Sequence, residues 1–283
     1  MAERIVYVNG SYLKKSEATV SVFDRGFLMA DAVYEVSAVI GGKMLDNLAH
    51  LQRLARSLGE LNMPMPLPLA ELVAAQEKLI ADNKLQEGII YLQVTRGSAE
   101  RDFLFDPDMK PTLVMFTQEK NLRDDPKVKT GLKVLTQPDI RWQRRDIKTT
   151  QLLAQSLAKM IAKSEGYDDA WMVEDGFVTE GSSNNVWIIK GNTVITRPAS
   201  HSILNGITRQ ALVKVIAELG LVLEERPFTV AEAKAADEAF ATSASGIVMP
   251  VVSIDGDKIG DGKPGKLAPA LREKYLEKLD HLL

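Results

Sequence analysis

The sequence predicts a mixed α/β protein of the α+β type, divided into two domains. Three observations carry this. Short β-rich runs bounded by Asn-Gly and Gly-Gly turns open the chain, and apolar residues at helical spacing fill later stretches. After a polar interval from Gln118 to Lys129, the alternation of strands and helices begins again. The expected division is a first α/β domain at residues 1–118, a linker at 119–124 and a second α/β domain with a β-rich core at 125–283. A small-molecule site is expected in the cleft between them.

Ile5–Val8 and Ser11–Leu13 flank Asn9-Gly10 and predict a hairpin, because Asn-Gly suits the positive φ angles of a type I′ turn. Further strands are expected at Val20–Phe23 and Val33–Ile40, the latter turning at Gly41-Gly42 into Lys43–Leu45. Asn47 is a good helix cap, and Leu48, Leu51, Leu54, Leu58 and Leu61 make one apolar stripe before Pro64. A second helix is expected over Leu69–Asn83, and strands over Gly88–Arg96 and Thr112–Thr117. The loop from Gly97 to Pro111 carries Arg101, Asp102 and Phe103.

In the second domain a strand is expected at Leu132–Leu135. A helix from Gln151 to Lys163 carries an apolar stripe of Leu153, Leu157, Met160 and Ile161, with Thr149 or Thr150 as its cap and Gly166 as its stop. Strands Ala170–Val173 and Phe177–Thr179 meet at Asp175-Gly176, and Val186–Ile189 follows. A helix then runs from about Asn205 to Leu219. Thr229 and Glu232 form a capping-box pattern, Ala239–Ala241 and Val251–Ile254 read as strands, and a terminal helix follows Pro264.

Composition narrows the function classes. A net charge of −3 gives no global basic bias, so nucleic acid and anionic membrane are not expected partners. The absence of cysteine removes disulfides, thiolate metal sites and a cysteine nucleophile. With only three histidines, His50, His201 and His281, a histidine-rich metal centre is not expected. The first residues lack a signal peptide's apolar core, and no run reaches the ~20 apolar residues of a spanning helix, so a cytoplasmic location is expected.

The stretch that concentrates chemistry is Arg144-Arg145-Asp146-Ile147-Lys148-Thr149-Thr150, just before the amphipathic helix. A lysine at such a junction is held by the helix without lying on its solvated flank. Burial favours the neutral amine, and a neutral amine is what Schiff-base formation and proton abstraction require. Lys148 is therefore read as a covalent cofactor anchor. Taken alone, the stretch reads more readily as a solvated lysine beside two arginines.

Several stretches taken together resemble the fold-type IV pyridoxal-phosphate enzymes, closely the D-amino-acid aminotransferases. They are Tyr34-Glu35 in a Val-Tyr-Glu strand, His50 and Arg53 in His-x-x-Arg-Leu, and Arg101 after Thr-Arg-Gly. The rest are Asp146-Ile147-Lys148, Glu180 opening Glu-Gly-Ser-Ser-Asn, Gly206–Arg209, and Thr242–Gly246. Each is weak alone; their order and separations make the signal, which spans nearly the whole chain.

The resemblance implies pyridoxal 5′-phosphate as cofactor, a homodimer with shared active sites, and transamination of a D-amino acid such as D-alanine with a 2-oxo acid acceptor. It makes Lys148 the anchor and general base, and Glu180 the partner of the pyridine nitrogen. Arg53, Ile207, Thr208, Ser243, Ala244 and Ser245 become phosphate ligands, and Ser183 and Asn184 line the cofactor. Tyr34, Arg101 and, more weakly, His50 face the substrate.

One position departs from the family. Phe103 stands where those enzymes carry a carboxylate-binding histidine, and phenylalanine donates no hydrogen bond. That loss typically costs roughly 1.5–3 kcal/mol, which still allows a carboxylate substrate and makes room for (R)-amines. Alternatively Phe103 packs within its loop and Arg25 or another group takes the carboxylate. The remaining alternatives are an (R)-selective amine transaminase, a branched-chain L-amino-acid aminotransferase, an aminodeoxychorismate lyase and a non-catalytic cofactor-binding protein.

Overall fold

Asn9 and Gly10 adopt φ of 46° and 94°, the type I′ geometry that joins strands β1 (Ile5–Val8) and β2 (Ser11–Lys14). The structure, a computed structural model, describes residues 3–280, so His281 lies outside it. These residues form two units: residues 3–121 with Ile147–Gln151, and Leu122–Asp146 with residues 152–280. The Lys148 segment, expected in the second domain by chain order, thus belongs to the first unit.

In the first unit, the strand expected at Val20–Phe23 does not form. Those residues are exposed and lead to Asp24, whose carboxylate accepts from Gly26 N at 2.8 Å and caps helix α1 (Arg25–Met29). There follow β3 (Ala32–Ile40), β4 (Lys43–Met44), α2 (Asn47–Glu60), α3 (Leu69–Asp82), β5 (Glu87–Thr95) and β6 (Thr112–Glu119). The six-stranded antiparallel sheet runs β2-β1-β6-β5-β3-β4. Helix α2 packs on β3, burying Leu51, Leu54 and Leu58, while Leu48 stays exposed. Asn47 does not cap α2. Asp46 holds the cap position in a left-handed conformation, and the Asn47 side chain instead accepts from Ser37 at 2.9 Å and donates to Gln76 at 2.8 Å.

The second unit contains α4 (Lys127–Thr130), β7 (Leu132–Pro138), α5 (Leu153–Ser164), β8 (Asp169–Glu174), β9 (Phe177–Gly181), β10 (Asn185–Lys190) and β11 (Thr193–Thr196). It continues with α6 (Ile207–Glu218), β12 (Val222–Glu225), α7 (Val230–Lys234), β13 (Glu238–Ser243), β14 (Ile247–Ile254), β15 (Asp257–Lys258) and α8 (Leu267–Asp280). The sheet runs β12-β11-β10-β13-β14-β7-β8-β9, with β15 beside β14. Its core includes Trp171, Val178, Val186, Ile188, Phe228 and Ile254. The Thr229–Glu232 capping box forms as expected.

Neither Thr149 nor Thr150 caps α5; Leu152 occupies that position without a side-chain bond. The apolar stripe of α5 lies outward, with Leu153, Leu157 and Met160 exposed by 73%, 50% and 66%. The alanines Ala158 and Ala162 face inward against Ala170 and Met172, so small side chains make the close contact.

Candidate active site

Alternation along β3 sends Glu35 under α2 and Tyr34 to the opposite face. Glu35 is buried, and its two oxygens accept Arg53 Nε and Nη2, each at 2.7 Å, and His50 Nδ1 at 2.8 Å. His50 and Arg53, three residues apart on α2, share the face that reaches it. Burial opposes ionisation of Glu35, yet Arg53 and His50 hold its carboxyl at about 2. Burial also lowers the His50 imidazole, further than Glu35 raises it. The ring is therefore neutral at neutral pH, and its Nδ1–H donates to the carboxylate.

Tyr34 begins an aromatic ladder across β3, β5 and β6. It stacks on Tyr91 at 5.5 Å between centroids, and Tyr91 stacks on Phe116 at 4.7 Å. Burial raises the Tyr91 phenol, so it stays protonated. The Lys148 segment is sewn to the same strand: Tyr34 N donates to Lys148 O at 3.0 Å, Thr150 N to Ala32 O at 3.1 Å, and Thr149 bridges Val33. Lys148 Nζ lies 4.2 Å from the centroid of the Tyr34 ring. The Lys148 backbone is thus fixed by main-chain bonds at the strand that bears Tyr34 and Glu35, and its half-buried side chain brings Nζ over the Tyr34 ring.

The loop after β5 carries Arg101 and Phe103 in the open. Phe103 is 81% exposed, with the Arg101 guanidinium 5.8 Å from its ring, so Phe103 does not pack within the loop. Arg25, by contrast, is buried and committed: Nε donates to Asp31 at 2.9 Å and Nη1 to Asp102 O at 2.6 Å. Arg96 Nε shares Asp31 at 2.8 Å, and Phe105 lies over both guanidinium groups, 3.8 Å from Arg96 and 5.3 Å from Arg25.

In the second unit, Glu180 on β9 is buried. It pairs with Arg141, accepts Asn185 Nδ2 at 3.1 Å and receives Leu204 N at 3.2 Å. Burial pushes this carboxyl up against the pull of Arg141. Burial would lower Arg141, but Asp139 and Glu180 raise it and keep the guanidinium charged. The chain of charges continues, since Asp139 also takes Arg145 at 3.3 Å and Arg145 reaches Glu174 at 2.8 Å.

Ile207 and Thr208 open α6 and are buried, and no side chain caps the helix at Gly206, so its first amides remain available to an anion. Ser243, Ala244 and Ser245 form the half-buried turn between β13 and β14, where Gly246 N donates to Ser243 O at 3.3 Å. Asn184 is employed differently from its neighbour Asn185: it donates its amide to Asp169 at 2.7 Å, and Ser183 beside it is exposed. Among the described residues no cluster of metal-ligating side chains occurs, and no helix is long and apolar enough to cross a membrane.

Each unit by itself offers groups that suit part of a phosphorylated pyridine aldehyde. In the first, the Lys148 amine suits the aldehyde; in the second, uncapped amides and hydroxyls suit the phosphate, and a buried carboxylate with proton affinity raised by burial suits the ring nitrogen.

Four contributors carry no role in the sequence reading: Glu35, Asp139, Arg141 and Asn185. Glu35 could have been found, because a carboxylate at an inward position of an otherwise apolar strand needs a buried cation, and Arg53 belongs to the same set of motifs. Arg141 and Asn185 offer no such periodicity.

The class IV aminotransferase model matches residues 32–254. The D-alanine aminotransferase of Staphylococcus aureus strain N315 is 37% identical over 276 residues, 96% of this chain and 98% of that protein. That of Bacillus licheniformis is 37% identical over 262 residues, 93% of this chain and 92% of that protein. Among solved structures, the branched-chain aminotransferase of the thermophilic archaeon Thermoproteus uzoniensis with norvaline superimposes with a TM-score of 0.85 at 25% identity. The match covers 97% of this chain and 94% of that one.

Proposed function

The chain belongs to the class IV aminotransferases, and on that premise we propose that it transfers the amino group of a D-amino acid such as D-alanine to a 2-oxo acid. Its cofactor is pyridoxal 5′-phosphate. When bound, the cofactor supplies an aldehyde that condenses with amines and a ring that withdraws electrons.

Lys148 would hold the cofactor through its amine and would serve as the base that moves the proton to and from the substrate's α carbon. Main-chain bonds to β3 hold the Lys148 backbone, and the Tyr34 ring beside Nζ limits where the amine can go. Glu180 holds the proton of the pyridine nitrogen; the raised proton affinity that burial gives it strengthens this hydrogen bond. Arg53, oriented by Glu35, joins the amides of Ile207 and Thr208 and the Ser243–Ser245 turn on the phosphate. Ser183 and Asn184 stand nearby in sequence as supporting groups. Arg101 takes the α-carboxylate and Tyr34 lines the substrate side, with His50 as a buried support of Glu35.

The observation that carries the reading is the tethered Lys148 amine within a chain similar along almost its whole length to D-alanine aminotransferases. The purified protein should show a cofactor band at roughly 400–420 nm, absent in Lys148→Ala. D-Alanine should bleach that band and L-leucine should not. Bleaching by L-leucine alone would instead identify a branched-chain enzyme, and no band after adding pyridoxal phosphate would end the Lys148 assignment.

Exposed Phe103 favours a second reading, activity on (R)-amines with an apolar substituent, which (R)-1-phenylethylamine tests directly. A cytoplasmic homodimer completes the proposal; the outward stripe of α5 is what supports the second copy.

A further inference from the structure

Ile247 adopts φ of 63°, and it is the residue that closes the Ser243–Gly246 turn and opens β14. A β-branched residue is strongly disfavoured in the left-handed region, where its Cβ crowds the backbone. Gly246, beside it, does not take the left-handed conformation. The strain therefore falls on the residue least suited to it, and the surroundings must hold it there.

Arg272 on α8 is the group placed to do so. It is 4% exposed, and Nη1 donates to the carbonyls on both sides of Ile247, Gly246 O at 2.7 Å and Val248 O at 3.0 Å. Nη2 donates to Leu122 O and, at 3.4 Å, to Arg123 O. All four contacts are main-chain carbonyls, an uncommon employment for a buried guanidinium. Burial lowers its proton affinity, and Asp125 and Asp124 oppose that.

The rest of the hairpin is gripped as well. At its far end Glu238 of β13 caps α8, accepting Lys266 N at 2.8 Å and Leu267 N and Ala268 N at 2.9 Å. At the near end Trp187 Nε1 donates to Thr242 Oγ1 at 2.9 Å. Helix α8 thus splints β13 and β14 at both ends, leaving the Ser243 and Ser245 hydroxyls without a partner among the described residues.

We propose that Arg272 is a positioning residue for the phosphate-facing turn, holding Ile247 left-handed and turning the Gly246 and Val248 carbonyls, which would repel a phosphate, onto a cation. This rests on the reading of Ser243–Ser245 as phosphate ligands.

The test titrates the full chain, freed of cofactor, with pyridoxal phosphate and separately with pyridoxal, following tryptophan fluorescence. The wild type should prefer the phosphate ester strongly. Arg272→Gln should cut that preference by about tenfold or more while pyridoxal affinity moves less than about threefold. Adding Ile247→Gly to Arg272→Gln should restore most of the preference, since glycine accepts a left-handed φ without a clamp. A variant that folds only in the double form gives the same support.

Equal loss for both compounds, no recovery in the double variant, or failure of both variants to fold would each overturn the positioning role. A wild type that binds pyridoxal as tightly as its phosphate would instead overturn the phosphate reading of the turn.

Discussion

Glu35 receives Nε and Nη2 of Arg53 at the same 2.7 Å, a two-pronged pair closed off from water beneath α2. The Glu35 carboxyl falls from 4.5 to about 2 on folding. A depressed carboxyl stabilises the fold fully above its unfolded value, and that stability drains as pH falls through the folded one, here between 4.5 and about 2. The size is roughly 3 kcal/mol at one pKa step per 1.36 kcal/mol. His50 has the same sign, since its proton affinity is also lowered and acid forces a charge into a buried site. Urea unfolding from pH 7 to 3 should therefore show a steeper acid loss in the wild type than in Glu35→Gln. The variant should also start about 3–5 kcal/mol lower, with Arg53 left uncompensated. Parallel curves would remove Glu35 from the acid response.

The elements with strong local chemistry were legible: the Asn-Gly hairpin, the Thr229 box, and the leucine stripe that buries α2 through Leu51, Leu54 and Leu58. What failed were assignments that tertiary contacts override. Val20–Phe23 has β-branched residues but no neighbouring strand to pair with, and Asn47 is recruited by Ser37 and Gln76 rather than by its own helix. β12 is Val-Leu-Glu-Glu, an edge strand whose pattern shows no buried face, and nothing in its sequence announces it. In the candidate site the lone residues with motif context, Lys148, Glu180 and Arg53, could be named. Their supporting charges could not, because Arg141 and Asn185 reach Glu180 from 39 and 5 residues away with no periodic relation.

Phe103 is solvent-exposed beside Arg101, so a histidine there should fit without repacking. Phe103→His adds a donor for a substrate carboxylate. It should raise kcat/KM for D-alanine by about one to two decades and lower turnover of (R)-1-phenylethylamine, whose apolar group loses its wall. Steady-state kinetics with both donors decides it. If both substrates move together, or neither moves, Phe103 does not sort carboxylates from amines.

Phe105 covers Arg25 and Arg96 where they share Asp31, and Arg25 also holds the Asp102 carbonyl. This clamps the base of the loop that displays Arg101. Phe105→Ala removes two cation–π contacts, together worth about 1–2 kcal/mol. KM for carboxylate donors should rise by up to about tenfold, with the cofactor band nearly unchanged and the unfolding midpoint lower by only a few degrees. A fall in kcat with constant KM would mean that the clamp serves the chemistry and not substrate capture.

Leu153, Leu157 and Met160 stand in water along one side of α5 because Ala158 and Ala162 take the inward contacts. An apolar stripe of this kind on a helix is costly to leave open, and a second copy offers a self-complementary cover. Leu157→Glu with Met160→Glu should halve the mass seen by sedimentation at micromolar concentration. Circular dichroism should stay that of a folded chain, since neither side chain contributes to the core beneath. Activity should fall with the mass if the active sites are shared, because each site then lacks its partner's loop. A wild type that sediments as a monomer, or a charged pair that leaves a dimer intact, would mean that α5 meets no second copy.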